Sequence, residues 1–132
     1  MKSKLKLNRI HHIAIICTNY EESKKFYTEV LGLTIMKEQF RADRQSYKLD
    51  LALNGEYIIE LFSFPNPPKR ATRPEATGLR HLAFAVDNVI DAVEQLKQQN
   101  IHAEPIRVDE VTMKAFTFIV DPDSLPIELY EQ

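Results

Sequence analysis

Residues 11–19, HHIAIICTN, return near the other end of the chain as residues 80–88, RHLAFAVDN. Each copy has a histidine, then an apolar run with β-branched residues, then polar turn residues, which reads as a short strand. A second pair of stretches answers the first: residues 57–64, YIIELFSF, and residues 125–132, LPIELYEQ. Each of these carries one glutamate inside an apolar run. His12 and Glu60 are 48 residues apart (60 − 12), and His81 and Glu128 are 47 apart (128 − 81). The chain therefore reads as two copies of one unit. A pseudo-twofold arrangement of such copies would bring two imidazoles and two carboxylates toward one point, a donor set suited to a divalent transition ion with room for water or substrate.

Each copy fills in around these landmarks. The first strands are expected over 10–17 and 79–86. A helix start follows six residues after each histidine, at Thr18 (18 − 12) and Asp87 (87 − 81). Thr18 with Glu21 spells a capping box, and Asp87 is a good N-cap. Helices follow over about 20–31 and 89–99, with Tyr20, Tyr27, Val30 and Leu31 on one stripe and Val89, Val93 and Leu96 on the other. Gly32 and Asn100 suit left-handed C-caps. Hairpins come next, turned at Asn54-Gly55 and at Asp121-Pro122-Asp123-Ser124. Strand alternation puts Glu60 on a face with Ile58, Phe62 and Phe64, His12 with Ala14 and Ile16, His81 with Ala83 and Ala85, and Glu128 with Tyr130. A carboxylate in such apolar company costs several kcal/mol (~1–5) unless a metal, a cation or a proton satisfies it.

The bulk properties narrow the classes. At 132 residues the chain fits one domain, 1–132, with modules at about 9–64 and 78–131 joined by a proline-stiffened linker over 65–77. Apolar content of 44% and charged content of 27% are those of a folded globular domain. A net charge of −2 argues against broad nucleic-acid binding. The lone Cys17 excludes a disulfide framework and suits a reducing, cytoplasmic setting. The basic start MKSKLKLNRI is followed by an apolar run that His11 and His12 interrupt, so a signal peptide is not expected, nor is a membrane span.

Taken together, HHIAI, SKKFYTEVLGL, IIELFSF, GLRHLAFAVDN and FIVDPDSLPIELYE resemble the vicinal oxygen chelate superfamily over about residues 9–131. Glyoxalase I, extradiol dioxygenases, fosfomycin-resistance proteins and bleomycin-binding proteins belong to it. The resemblance implies an α+β fold in which two βαβββ modules form a curved mixed sheet around a metal-binding cleft. It implies the metal ligands His12, Glu60, His81 and Glu128. Glyoxalase I carries a ligand at all four positions, dioxygenases and fosfomycin-resistance proteins three, and bleomycin-binding proteins none. The implied activity is therefore that of a glyoxalase I-like lyase, which isomerises the hemithioacetal of a 2-oxoaldehyde to a 2-hydroxyacyl thioester. Glu128 and Glu60 are the candidate catalytic carboxylates, with Glu128 the preferred proton shuttle because the family's shuttle comes from the second module.

The same resemblance implies one divalent ion per subunit, zinc or nickel ahead of cobalt, manganese or iron. It also implies a small-molecule substrate and a homodimer whose metal sites can combine residues of both chains. Two rival readings keep the fold: another metal-dependent enzyme, such as an extradiol dioxygenase or thiol transferase, and a metal-free small-molecule binding or resistance protein. One departure bears on substrate. Where glyoxalase I has an arginine four residues after its first ligand histidine, to contact the glutathione carboxylate, this chain has Ile16. Anion contacts would then come from Arg41, Arg44, Lys48, Lys69, Arg70, Arg73 or Arg80. Plainer roles are expected for other residues: His11 and His102 at the surface, Cys17 as a small core hydrophobe, and Phe62, Phe64, Phe84, Phe116 and Phe118 as core.

Overall fold

A computed structural model describes residues 3–132; Met1 and Lys2, the start of the basic N-terminal stretch, lie outside the described residues. The first module runs β1 (Ile13–Cys17), α1 (Tyr20–Lys25), β2 (Thr34–Arg41), β3 (Ser46–Leu53) and β4 (Glu56–Ser63). The second runs β5 (Leu82–Val86), α2 (Val89–Gln98), β6 (Arg107–Val108), β7 (Ala115–Val120) and β8 (Pro126–Glu131). The strand orders are β1-β4-β3-β2 and β5-β8-β7-β6, so the modules share one topology. In each sheet the first strand runs parallel to the last and the remaining pairs are antiparallel. The fold is α+β, with two four-stranded mixed sheets, and β1 and β5 each form a sheet edge.

The core forms where the two units press their apolar faces together. Leu49, Leu51, Ile59 and Leu61 of the first module are fully buried in one cluster with Ile119, Ile127, Leu129 and Leu96 of the second. Burying each such side chain stabilises the fold by about 1.5–3 kcal/mol. Ile59 and Leu61 flank Glu60 in sequence and point the opposite way, as do Ile127 and Leu129 around Glu128. Core packing on one face thus fixes each glutamate on the other.

The helix starts differ from expectation by one residue, for the same reason in both modules. Asn19 caps α1 by accepting from the Glu22 amide, and Asn88 caps α2 by accepting from the Asp91 amide. Thr18 and Asp87 are used elsewhere: Thr18 donates its amide and hydroxyl to Asp123, and Asp87 accepts from the Gln132 side chain. The first helix continues through a π-helical turn, Phe26–Val30, up to Leu31. Gly32 and Asn100 take the expected positive φ, 78° and 60°. Asn54 and Gly55 both have positive φ, 51° and 83°, as a type I′ turn requires. The first strands are shorter than expected, so His12 and His81 sit just before β1 and β5.

Candidate metal centre

Both histidines are held in the same way. The residue before each one engages its Nδ1 and leaves Nε2 facing a glutamate. His11 Nδ1 lies 2.9 Å from His12 Nδ1, and Arg80 Nη1 lies 3.1 Å from His81 Nδ1. His12 Nε2 is then 3.7 Å from Glu60 Oε1, and His81 Nε2 is 3.2 Å from Glu128 Oε1. The pairing follows from sheet register: the residues one beyond the histidines, Ile13 and Leu82, pair with Ile59 and Ile127, each one before its glutamate. An aromatic ring sets each imidazole plane. Tyr57 stacks on His12 with centroids 5.1 Å apart, and Phe118 meets His81 edge-on at 5.1 Å.

The four expected ligands are thus brought together as two pairs, one per module. Among the described residues no three His, Cys, Asp or Glu side chains converge as a metal site requires. Each pair offers one imidazole nitrogen and one carboxylate oxygen. The donor chemistry fits a divalent ion: an imidazole nitrogen and a carboxylate oxygen, each carboxylate only 15% exposed, with the other imidazole nitrogen held by a neighbour. Arg80 can only donate, so His81 Nδ1 accepts from it. Ligation of a metal through Nε2 would require the proton on Nδ1, and so the loss of the Arg80 contact.

The surroundings of the two glutamates differ. Glu60 Oε2 lies 3.2 Å from Lys48 Nζ and accepts from the Tyr57 hydroxyl at 3.2 Å. Asp50 completes this cluster, 2.8 Å from Lys48 and 3.2 Å from Tyr57. The hydrogen bond to Asp50 holds the Lys48 ammonium above the ordinary lysine range, and Glu60 adds to it. Burial, then the charges of Asp50 and Glu60, push the Tyr57 phenol up as well. Glu128, by contrast, lies opposite Phe118 in the register of β7 and β8. It has no lysine, arginine or tyrosine partner among the described residues.

Several residues had other expected roles. Cys17 is a buried thiol that donates to the Phe62 carbonyl, and burial pushes its pKa up to about 11, so it is inert. Phe84 packs against the core and Phe118 is buried, both as expected, but Phe118 lies with Phe62, Phe64 and Phe116 on the two glutamate-bearing faces. Their company was not foreseen. The Arg41 guanidinium covers Phe62 and Phe64 at 4.9 and 5.8 Å, and that of Arg107 covers Phe116 and Phe118 at 5.0 and 5.9 Å. Arg107 was missed because the two-residue strand that carries it has no readable period. Tyr130 donates to Asp109 at 3.0 Å and stacks on Phe116, bracing the second module's face. His11 and His102 are at the surface. A cavity of about 370 Å³ opens between β1 and the second module, lined by Ile13, Ile16, Leu79, His81 and Leu125.

Residues 9–129 match the model of the glyoxalase/bleomycin resistance protein/dioxygenase superfamily. The chain belongs to this superfamily. It is 61% identical over 126 residues to the uncharacterized protein YwkD of Bacillus subtilis, covering 96% of this chain and 98% of that one. It is 30% identical over 132 residues to lactoylglutathione lyase of Escherichia coli O157:H7, covering 94% and 93%. The crystal structure of a glyoxalase family protein from Enterococcus faecalis superposes with a TM-score of 0.86 at 45% identity, covering 93% and 97%. The superfamily's two-module architecture accounts for the repeated His–Glu pair, and no described helix is long and apolar enough to cross a membrane.

Proposed function

We propose that this chain is a metal-dependent, glyoxalase I-type lyase. The observation that carries this reading is the repeated half-site: one His–Glu pair per module, each with an Nε2 turned toward a carboxylate oxygen. His12 and Glu60 of one copy combine with His81 and Glu128 of a second copy in a homodimer, and each such set holds one divalent ion. Uncovered apolar surface beside the pairs supports a second copy. Leu5, Leu7 and Ile10 are 83%, 80% and 78% exposed just before His12, and Leu79 just before His81 is also exposed. Such apolar surface at a sheet edge favours burial against a partner.

A divalent ion held there would supply Lewis acidity to the substrate. The chain's own residues do the rest. His12, His81 and Glu60 hold the centre. Glu128 Oε takes the proton from the carbon bearing sulfur and returns it to the adjacent carbon, so the reaction is an isomerisation with no net gain or loss of atoms. The 30% identity to lactoylglutathione lyase supports the reaction class, and Ile16 argues against a glutathione-specific site.

The test is metal content and activity on the purified protein. We expect about one divalent ion per subunit, a dimer in solution, and turnover of methylglyoxal with some thiol in a panel. Glu60→Gln and His81→Ala should each lower metal affinity sharply. Unchanged metal content in both variants would reject the assignment. A metal-free protein that binds small molecules would favour the sequestering relatives instead, and bound iron with oxygen consumption the dioxygenases.

A further inference from the structure

Beside His81 lies a second cavity, of about 190 Å³, whose lining includes Arg70, Arg73, Arg80 and Arg107, Glu75 and Glu104, and the ring of Phe118. Four guanidiniums against two carboxylates leave it with an excess of positive charge. Two of the four are committed. Arg80 is paired with Glu75 at 2.5 Å, and Arg70 donates to the Thr72 hydroxyl at 2.8 Å and the Leu79 carbonyl at 2.9 Å. Arg73 pairs with no acid among the described residues, and Arg107 has only a long, exposed contact with Glu104 at 3.5 Å. Arg107 is nonetheless held in place, because its guanidinium lies over Phe116 and Phe118. Phe118 is the ring that meets His81. One aromatic side chain therefore separates this arginine from the His81–Glu128 pair.

A planar guanidinium stacked on a ring keeps its N–H edge available, in the geometry that grips carboxylate or phosphate oxygens. We propose that Arg107, assisted by Arg73, binds an anionic oxygen group, carboxylate or phosphate, at the far end of the substrate. The substrate thus carries a reacting end at the metal and an anionic tail at the N–H edge of the Arg107 guanidinium, which itself covers Phe116 and Phe118. This rests on the metal-centre reading for the reacting end. It supplies the anion contact that Ile16 cannot make, from an element at the opposite end of the sequence. The first module repeats the device: Arg41 covers Phe62 and Phe64, and its Nε is buried without a partner.

The experiment uses the metal-loaded protein and three hydroxamates of equal chain length, which chelate through the same head group. One has an uncharged alkyl tail, one ends in a carboxylate and one in a phosphonate. Calorimetric titration should give tighter binding, by about tenfold or more, for at least one anionic tail over the neutral one. The stronger of the two identifies carboxylate or phosphate. Arg107→Met should abolish that preference and leave affinity for the neutral hydroxamate unchanged, and Arg107→Lys should restore only part of it. Arg73→Met, on the exposed linker, should weaken the preference and guards against a misfolded Arg107 variant. Equal affinity for all three tails in the wild type, or a preference that survives in Arg107→Met and Arg73→Met, overturns the proposal while sparing the metal centre. Failure of every hydroxamate to bind rejects the metal centre and this proposal together.

Discussion

Both glutamate-bearing faces carry aromatic rings, but Glu60 sits in an ionic cluster and Glu128 does not. Asp50 and Phe118 occupy the same register position, opposite Glu60 and Glu128. Lys48 and Phe116 do too, opposite Phe62 and Tyr130. Glu60 is thereby tied to an ammonium and a phenol, whereas Glu128 has hydrocarbon beside it, one imidazole in front and the Arg80 charge near enough to act on it without a direct bond. A carboxylate held by two other donors is a poor candidate to swing away and carry a proton. One with no such ties can do so. Duplication supplied two equal His–Glu pairs, and on the proposed reading the neighbours on β3 and β7 would divide their work, with Glu60 the anchor and Glu128 the shuttle.

The sharpest way to break this comparison is to remove each carboxylate's basicity in turn. We expect Glu128→Gln to lose less metal affinity than Glu60→Gln, whose carboxylate is the fixed anchor on this reading, and to lose turnover by about 10²–10⁴-fold, the usual contribution of a general base. Glu60→Gln should cost less turnover when both variants are assayed at matched metal loading. A larger loss in Glu60→Gln would hand the shuttle role to the first module, and an active Glu128→Gln would remove it from the second.

The second test acts on the neighbour rather than the ligand. Lys48 places a positive charge 3.2 Å from a carboxylate that is proposed to bind a dication. Like charges repel, so Lys48→Met should tighten metal binding by about three- to tenfold, corresponding to ~1 kcal/mol at a partly exposed site. The metal-free protein should lose stability at the same time, because Asp50 and Glu60 then face each other without a cation. Metal titration and thermal unfolding read the two effects separately. Weaker metal binding in Lys48→Met would mean that the ammonium orders Glu60 more than it competes for it. Phe116→Met, at the matching position of the second module, should change neither affinity nor charge balance.

The duplication and its consequences were open to a sequence reading because histidine, strand, helix and glutamate recur at nearly constant intervals. Sheet register then carries each His–Glu pair with it. What could not be read depends on contacts between distant segments. Thr18 and Asn19 are both capping residues, and so are Asp87 and Asn88; the choice between neighbours is made by Asp123 and Gln132, far along the chain. Arg107 stacks on Phe116 through strand pairing, which no local pattern announces. The separation of the two histidines and two glutamates into two pairs is set by how the modules dock. Either outcome suits the same string of residues.

The smallest expected effect, that of Asp121→Asn, concerns the two hairpin turns, which differ as the surroundings of the two glutamates do. In the first module Asn54-Gly55 makes a tight turn through backbone conformation alone. In the second, the Asp121 carboxylate is buried and accepts from the amides of Asp123 and Leu125, at 2.9 and 2.8 Å, and from the Tyr27 hydroxyl of the first module at 2.8 Å. This contact ties the modules together at the back of the sheets. Burial dominates over these hydrogen bonds and raises the Asp121 pKa above its ordinary 3.8. The sign of the linkage follows. With the folded pKa above the unfolded one, the group's favourable contribution is complete below pH 3.8 and is lost as pH rises through the folded value. Asp121→Asn should remove that slope. Its amide oxygen can still accept from the two backbone amides, and its NH₂ can donate to the Tyr27 hydroxyl. We expect Asp121→Asn to be within about 1 kcal/mol of wild type at neutral pH, and Tyr27→Phe to cost about 1–3 kcal/mol by stranding a buried carboxylate oxygen. Urea unfolding of wild type and Asp121→Asn from pH 3 upward measures the difference. A wild-type advantage that grows with rising pH would reverse the sign and show that the hydrogen bonds, not burial, set the state of this carboxylate.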